Sequence, residues 1–575
     1  MGFDRRSFLH GGALAGMAGI VHPVFAAADA GLGSAAGAIG GIVDVRQFGA
    51  KGDGIAIDSG AINRAIDHVA GLGGGTVYFP AGSYASYTIR MKSRVTLFLA
   101  GGAVLLAAAP TDTQGYDHAE PIGEWGAYQD FGHSHWRNSL IWGEGLNDIA
   151  ILGPGLIWGK GLGRGDGKDN WLKDPTGPGT GNKAIALKNC RNVLLRDIKI
   201  LEGGWFALLA TGVDNLTIDN VLVDTNRDGF DIDCCRNVRI SNCTVNSPWD
   251  DGICPKSSYA LGHPRITENL SISDCFVTGN YEVGSVLDGS WRKMPPSFAP
   301  KIHGRIKFGT ESNGGFRNIT ISNCIFEDSR GLAFETVDGA VFEDVTVSNI
   351  TMRGIIDAPL FLRLGKRMRG PAGVPIGTMK RILIQNVVSS GANILPSVIA
   401  GLVDHPIEDV SIADCHFQHV GGAPAAMAKV RPPEAELAYP EATMFGDLPA
   451  TGFFVRHARN IRFSNVEVAV AAPDPRAAFR LEDVEDADFV GLRAPGGTTW
   501  SLDRVTGFRS SGARWIADRR SDGPLSGDFY PRGSGAAAKA AAIASRKGFG
   551  RNSASKGQGR LAMPSGRSRM PLSQL

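Results

Sequence analysis

Two acidic clusters, with Asp228 and Asp250 22 residues apart, carry the strongest chemical signal in this chain. The first reads Asn226-Arg227-Asp228-Gly229-Phe230-Asp231-Ile232-Asp233. The second reads Ser247-Pro248-Trp249-Asp250-Asp251-Gly252-Ile253-Cys254-Pro255-Lys256-Ser257. If Asp228, Asp250 and Asp251 share one groove, they repel, and burial or proton sharing must raise the pKa of at least one. Glycoside hydrolysis needs that division, with a protonated carboxyl for the leaving oxygen and an ionised one to activate water. A single Asp-Gly pair reads better as a solvated turn or a calcium ligand. Two such clusters in register read as a catalytic site, with no metal or other cofactor expected.

The register comes from a repeat. Segments starting at Asn192, Asn215 and Asn237 share an apolar–polar–apolar alternation, and further copies start at Asn269, Asn318 and Asn460, with degenerate ones near Phe342, Arg381 and Asp409. Period-two alternation marks strands with one buried face. Their recurrence about every 22 residues marks a solenoid, and a single-stranded right-handed parallel β-helix is the expected all-β fold. Asp228 and Asp250 then occupy neighbouring coils, each stacked ~4.8 Å above the last. Cys190, Cys243, Cys275, Cys324 and Cys415 fall at one point of their repeats, which predicts a stack of small buried groups rather than a zinc site. The recurring asparagines are expected to bond backbone groups at the coil turns.

Solenoid ends need covering. Residues 40–110 are assigned to an N-terminal cap and first coils, with a helix over Ser59 to Ala70, and residues 111–530 to the β-helix with loop insertions. The leader Asp4-Arg5-Arg6-Ser7-Phe8-Leu9 precedes a short apolar run from Gly11 to Ile20, as in a twin-arginine export signal. Residues 1–28 are read as that signal, with the twin-arginine machinery as partner and a periplasmic or secreted destination. The run is shorter than the ~20 residues of a membrane span, so no stable insertion is expected. Folding before export favours free thiols over disulfides for the eight cysteines. Residues 531–575 are rich in Gly, Ala and Ser, with nine Lys or Arg and no acid, and are read as a disordered basic tail. Apart from this tail there is no basic, aromatic-interleaved patch, so a nucleic-acid partner is not expected, and a monomer is.

The residues from Val43 to Val468 resemble glycoside hydrolase family 28, the polygalacturonase family. The N-terminal block, from Val43-Asp44-Val45 to Tyr84, is similar to the cap of pectate-lyase-like β-helix proteins. The match lies in the Asn226-x-Asp228-Gly229 and Asp250-Asp251 motifs. By position, the resemblance implies Asp250 as general acid and Asp228 with Asp251 as the pair holding the attacking water. It also implies an inverting, metal-independent reaction on a pectin-type polysaccharide or oligosaccharide. Asn226 and Lys256, in the same motifs, are assigned to substrate binding. The family's Gly-His-Gly motif appears as Ile302-His303-Gly304, which assigns His303 to the active site. The Arg-Ile-Lys motif that grips a galacturonate carboxylate is spelled by Arg305-Ile306-Lys307, but too close to His303. At its usual place the chain has Ala333 and Glu335. Arg305, Lys307 and Arg363 become the substitute grips, and Glu335 an acceptor for sugar hydroxyls. A neutral sugar at that subsite, as in rhamnogalacturonan, is then favoured over homogalacturonan.

Two insertions flank these motifs. Residues 110–180 hold Trp125, Tyr128, Trp136, Trp142, Trp158 and Trp171, and residues 281–302 include Tyr281, Glu282, Asp288 and Trp291. Bulky loops that close one end of a groove favour exo-action. The rival readings are a polysaccharide lyase on the same fold, which needs a cationic base and a neutraliser for the uronate, and a non-catalytic carbohydrate-binding β-helix.

Overall fold

A computed structural model describes residues 41–530, apart from 122, 130, 131, 164–178, 496, 498 and 515. The signal-peptide and tail assignments, and Trp171, lie outside the described residues. No helix among those described is long and apolar enough to cross a membrane.

Strands stack in parallel, coil upon coil, along three faces. One row runs Phe206–Thr211, Asp228–Asp233, Ile253–Lys256, Ile306–Phe308, Leu332–Thr336, Leu360–Leu364 and Ser397–Ala400. A second stacks Arg191–Arg196, Asp214–Asp219, Arg236–Ser241, Thr267–Ser273 and Phe316–Ser322 in register. A third stacks Lys199–Leu201, Leu222–Asp224, Thr244–Asn246, Phe276–Thr278 and Ile325–Glu327. The expected parallel β-helix is therefore present. Inward residues such as Leu208, Phe230, Ile253, Ile306 and Leu332 form one continuous apolar core. Because stacking keeps register, a position repeated once per coil becomes a line along the axis.

The N-terminal end is covered by the helix Ser59–Gly71, which turns Ala61, Ile62, Ala65, Ile66 and Val69 onto the core. That spacing is the apolar stripe of an amphipathic helix. Asp58 accepts hydrogen bonds from the backbone N–H of Lys51 (2.7 Å) and Gly52 (3.0 Å), ordering the loop before the helix. At the other end, Leu525–Phe529 returns antiparallel along Trp500–Thr506.

All eight cysteines are buried and free. The thiols of Cys190, Cys243, Cys275 and Cys324 donate to the carbonyl two residues earlier at 3.1–3.3 Å. The asparagines depart from expectation. Their side chains bond one another rather than the backbone, in a ladder from Asn318 through Asn269, Asn237, Asn215 and Asn192 to Asp148, with spacings of 2.7–3.2 Å. Each of these residues has φ of 56–57°. Among residues with a side chain, Asn and Asp visit this left-handed region most readily, and the in-register coils place each amide over the next.

Candidate active site

The proposed catalytic residues sit at one corner of the helix, where turns lead into the first strand row. Asp228 opens the strand Asp228–Asp233, while Asp250 and Asp251 lie in the turn before Ile253–Lys256. His303 precedes Ile306–Phe308. Local glycines make this approach possible. A Cβ on Gly229 would lie 2.2 Å from the carbonyl oxygen of Gly252, and Gly304 has φ +62° with the Thr278 carbonyl 2.2 Å from where a Cβ would be. Ser247 Oγ donates to the carbonyls of Arg227 (2.5 Å) and Asp250 (2.9 Å), and Gly304 N–H donates to Asp250 O (2.9 Å). These bonds tie three successive coils together at the corner.

The carboxylates come as close as the motif spacing predicts. One donor atom from each of Asp250, Asp251 and His303 falls within 4.8 Å of the others, and the same holds for Asp228, Asp251 and Cys254. Their environments differ. Asp228 is buried, and burial, with the charges of Asp250 and Asp231, lifts its pKa well above the usual carboxylate range. Asp250 keeps 24% of its side chain exposed and accepts from Arg227 Nη2 at 2.6 Å. Burial pushes its pKa up, but Arg227, His303 and Lys307 outweigh that and hold it below the usual value. Asp251 is 1% exposed and pairs with Arg305 Nε (2.7 Å) and Lys307 Nζ (2.9 Å). Those two cations overcome burial and hold it well below the usual value. His303 is pushed down to about 4 by burial and by the charge of Arg330, so it is neutral near pH 7.

The predicted substrate-binding residues are all buried. Asn226 is buried in the turn beside Asp228, and its carbonyl accepts from Trp249 N–H at 2.9 Å. Lys256 is buried in an ion pair with Glu311 (3.3 Å). Arg305 and Lys307 are 2% and 3% exposed and point at Asp251 rather than into open groove. Arg363 is likewise buried, donating to the carbonyls of Gly401 (3.0 Å) and Glu434 (3.2 Å). Glu335 is 0% exposed, and neither carboxyl oxygen has a hydrogen-bond partner. It does not line the groove, contrary to expectation. The reason is the loop of residues 422–449, whose Tyr439 and Glu441 cover this stretch of the sheet.

That loop carries groups that sequence reasoning missed. Glu441 Oε1 accepts from Arg305 Nη2 (2.7 Å), and its Oε2 accepts from Arg330 Nη1 (3.0 Å). Tyr439 Oη accepts from Lys307 Nζ (3.2 Å) and Thr310 Oγ1 (2.8 Å). Arg227 was also missed as a functional group, although it lies inside the first motif. Its guanidinium rests over the Trp205 ring at 5.2 Å and reaches both Asp250 (2.6 Å) and Asp228 (3.8 Å). On the other flank His133 Nε2 contacts Asp231 Oδ2 at 2.8 Å.

The insertion aromatics mainly pack. Trp136 is buried with Trp205, Phe206 and Leu209, and its Nε1 donates to Thr211 Oγ1 at 3.0 Å. Tyr281 and Trp291 meet edge to face at 5.1 Å, and Phe298 stands edge-on to Trp249 at 5.1 Å. Asp224 anchors the 281–302 insertion by accepting from the N–H groups of Gly284, Val286 and Leu287 at 2.9–3.0 Å. Metal binding at the carboxylates fits the chemistry poorly. Arg305 and Lys307 already neutralise Asp251, and burial keeps the Cys254 thiol protonated.

Comparison with known proteins agrees with the fold. The family model "Rhamnogalacturonase A/epimerase, pectate lyase-like" matches residues 42–139, and "Right handed beta helix region" matches residues 176–293. The chain is 24% identical over 351 residues to a Vitis vinifera protein named "Probable polygalacturonase", covering 53% of this chain and 68% of that one. It is 24% identical over 408 residues to the exo-poly-alpha-D-galacturonosidase of Dickeya chrysanthemi, covering 61% and 63%. The solved family 28 exopolygalacturonase of Yersinia enterocolitica superimposes with a TM-score of 0.52 at 18% identity, covering 81% of this chain and 78% of that one.

Proposed function

The chain is a glycoside hydrolase of the polygalacturonase family on a right-handed, pectate-lyase-like β-helix, and from that premise we propose that it cleaves pectin-type polysaccharides or oligosaccharides with inversion. The observation that carries the proposal is the convergence of three aspartates at one corner in unlike surroundings, where burial raises the proton affinity of Asp228 while Arg227 pairs with Asp250 and Arg305 and Lys307 pair with Asp251.

Asp250 is the member that opens onto the groove, so it donates to the leaving oxygen. Burial raises the proton affinity of Asp228 and Arg227 lowers that of Asp250, so of the two Asp228 is the better holder of a shared proton in the free enzyme. Arg227 stands against both carboxylates. A bound sugar that moves Arg227 off Asp250 raises the proton affinity of Asp250, which then takes the proton from Asp228. Asp250 protonates the leaving oxygen. Asp228, now ionised, accepts a proton from the attacking water, which Asp251 helps to orient. The cycle ends with Asp228 protonated and Asp250 ionised, as it began. His303, neutral near pH 7, hydrogen-bonds the sugar or the acid pair. The loops of residues 110–139, 281–302 and 422–449 around the corner support exo-action. The twin-arginine leader supports a periplasmic or secreted site of action.

Elimination is the weaker reading. Burial lowers the proton affinity of Lys307 and Arg305, but Asp251 and the other acids around them outweigh it and hold both well above their ordinary pKa values. Neither is a competent base. The test is product analysis on a panel of pectic oligosaccharides. Saturated products with new reducing ends, formed equally with and without chelator, are expected. Ultraviolet absorbance from an unsaturated product would establish a lyase.

A further inference from the structure

The corner that holds the aspartates continues along the helix. Arg330, Asp357 and Asn393 occupy turns before Leu332–Thr336, Leu360–Leu364 and Ser397–Ala400, the next strands of the same row. With ~4.8 Å per coil, each coil advances along the groove by about one sugar ring. There the surface opens into a cavity of about 290 Å³, lined by Pro300, Arg330, Ile356, Asp357, Asn393 and Thr443. It is at the small end for ligand pockets and suits a single ring.

Its rim carries an anion site that is already filled. The guanidinium of Arg305 presents Nη2 and Nη1 to Glu441 at 2.7 and 3.3 Å, and Arg330 adds Nη1 at 3.0 Å. Two forked cations converging on one planar carboxylate is the arrangement that recognises a carboxylate ligand. Here the carboxylate belongs to the chain itself, from a loop 136 residues beyond Arg305. Arg305 joins this site to the catalytic one, since its Nε holds Asp251. Arg330 Nε is also used, donating to Ile302 O at 2.8 Å beside His303. Asp357 is the one carboxyl among the lining residues, and Arg330 is their one cation.

We propose that Glu441 stands in for a substrate carboxylate, filling the two-arginine site so that the adjoining pocket selects a neutral sugar ring over a uronate. The inference rests on the hydrolase reading of the site. A uronate entering the pocket meets Asp357 and finds both arginines committed to Glu441. The hydroxyls of a neutral ring find an acceptor in Asp357, and Asn393 and Thr443 complete the polar lining.

Binding, read by ligand-observed NMR on the full chain with galacturonate and galactose, tests this without requiring turnover. A failure of the hydrolase reading, which shows only in product analysis, is thus distinguished. In the wild type galactose should bind at least as well as galacturonate. Glu441→Ala should strengthen galacturonate binding by ~10- to 100-fold, the worth of a charge-assisted contact, and leave galactose within about twofold. Acetate should compete with galacturonate in that variant and not in the wild type. Glu441→Gln, close in shape and neutral, should move the galacturonate-to-galactose ratio the same way and guards against a folding defect in the alanine variant. The proposal is overturned if wild-type protein binds galacturonate ten times more tightly than galactose, or if a folded Glu441 variant leaves the ratio unchanged. Either result would make Glu441 a loop latch only.

Discussion

Replacing Glu335 by Gln should change how stability depends on pH. Glu335 is fully buried, and burial, opposed by Lys307 and Arg305, pushes its carboxyl up to about 8 from an ordinary 4.5. Below pH 4.5 the folded and unfolded chains both hold the proton, and Glu335 adds no pH dependence. Between 4.5 and 8 the unfolded chain releases it while the folded chain keeps it, so stability falls as pH rises. The loss amounts to ~3 kcal/mol by pH 7 and ~5 kcal/mol above pH 8, at 1.36 kcal/mol per pH step. Gln keeps the shape without the titration. Its amide adds a pH-independent offset, so the slope is diagnostic and the absolute value is not. Urea unfolding of both proteins at pH 4.5, 6, 7 and 8 should show Glu335→Gln gaining on the wild type by ~3 kcal/mol between pH 4.5 and 7. A difference that stays flat across that range would refute the reasoning, and would mean that Glu335 ionises at its ordinary pH against Lys307 and Arg305.

Three further outcomes follow from the site and the coils. Activity should fall on the alkaline side as the Asp228–Asp250 pair loses its one proton, and on the acid side as the pair gains a second. Arg227→Ala removes the main cation that lowers Asp250, so the acid limb of the kcat/KM profile should move to higher pH; an unmoved limb would separate Arg227 from the acid pair. Asn237→Ala breaks two ladder bonds and leaves a β-carbon in the left-handed region, at a cost of ~2 kcal/mol, whereas Asn237→Gly should cost less. Equal denaturation midpoints for the two variants would show that φ is not what selects Asn there.

The coil and the acid pair were legible because both rest on spacing. Alternation at period two marked the strands, and one coil of separation put Asp228 beside Asp250. What escaped was long-range. Arg227 is visible inside its motif, but its partner Asp250 arrives only a coil later. Glu441 and Tyr439 sit in a loop 132–136 residues from the cations they cover, and nothing in the local pattern announces the contact. That loop is also why Glu335, placed at the groove by the usual position of the family's Arg-Ile-Lys motif, is sealed from it. The asparagine repeat was plain, yet its partners are other asparagines, because register across coils brings the side chains together at a φ the backbone already requires.

The most direct test of the three-aspartate account is turnover of Asp250→Asn beside the wild type, on whichever pectic oligosaccharide the wild type cleaves best. Loss of proton donation should cut kcat by ~10²–10⁴-fold, with Asp228→Asn and Asp251→Asn similarly impaired and all three folded, as judged by circular dichroism and melting temperature. A folded Asp250→Asn protein that retains more than about a tenth of the wild-type rate would contradict Asp250 as the acid.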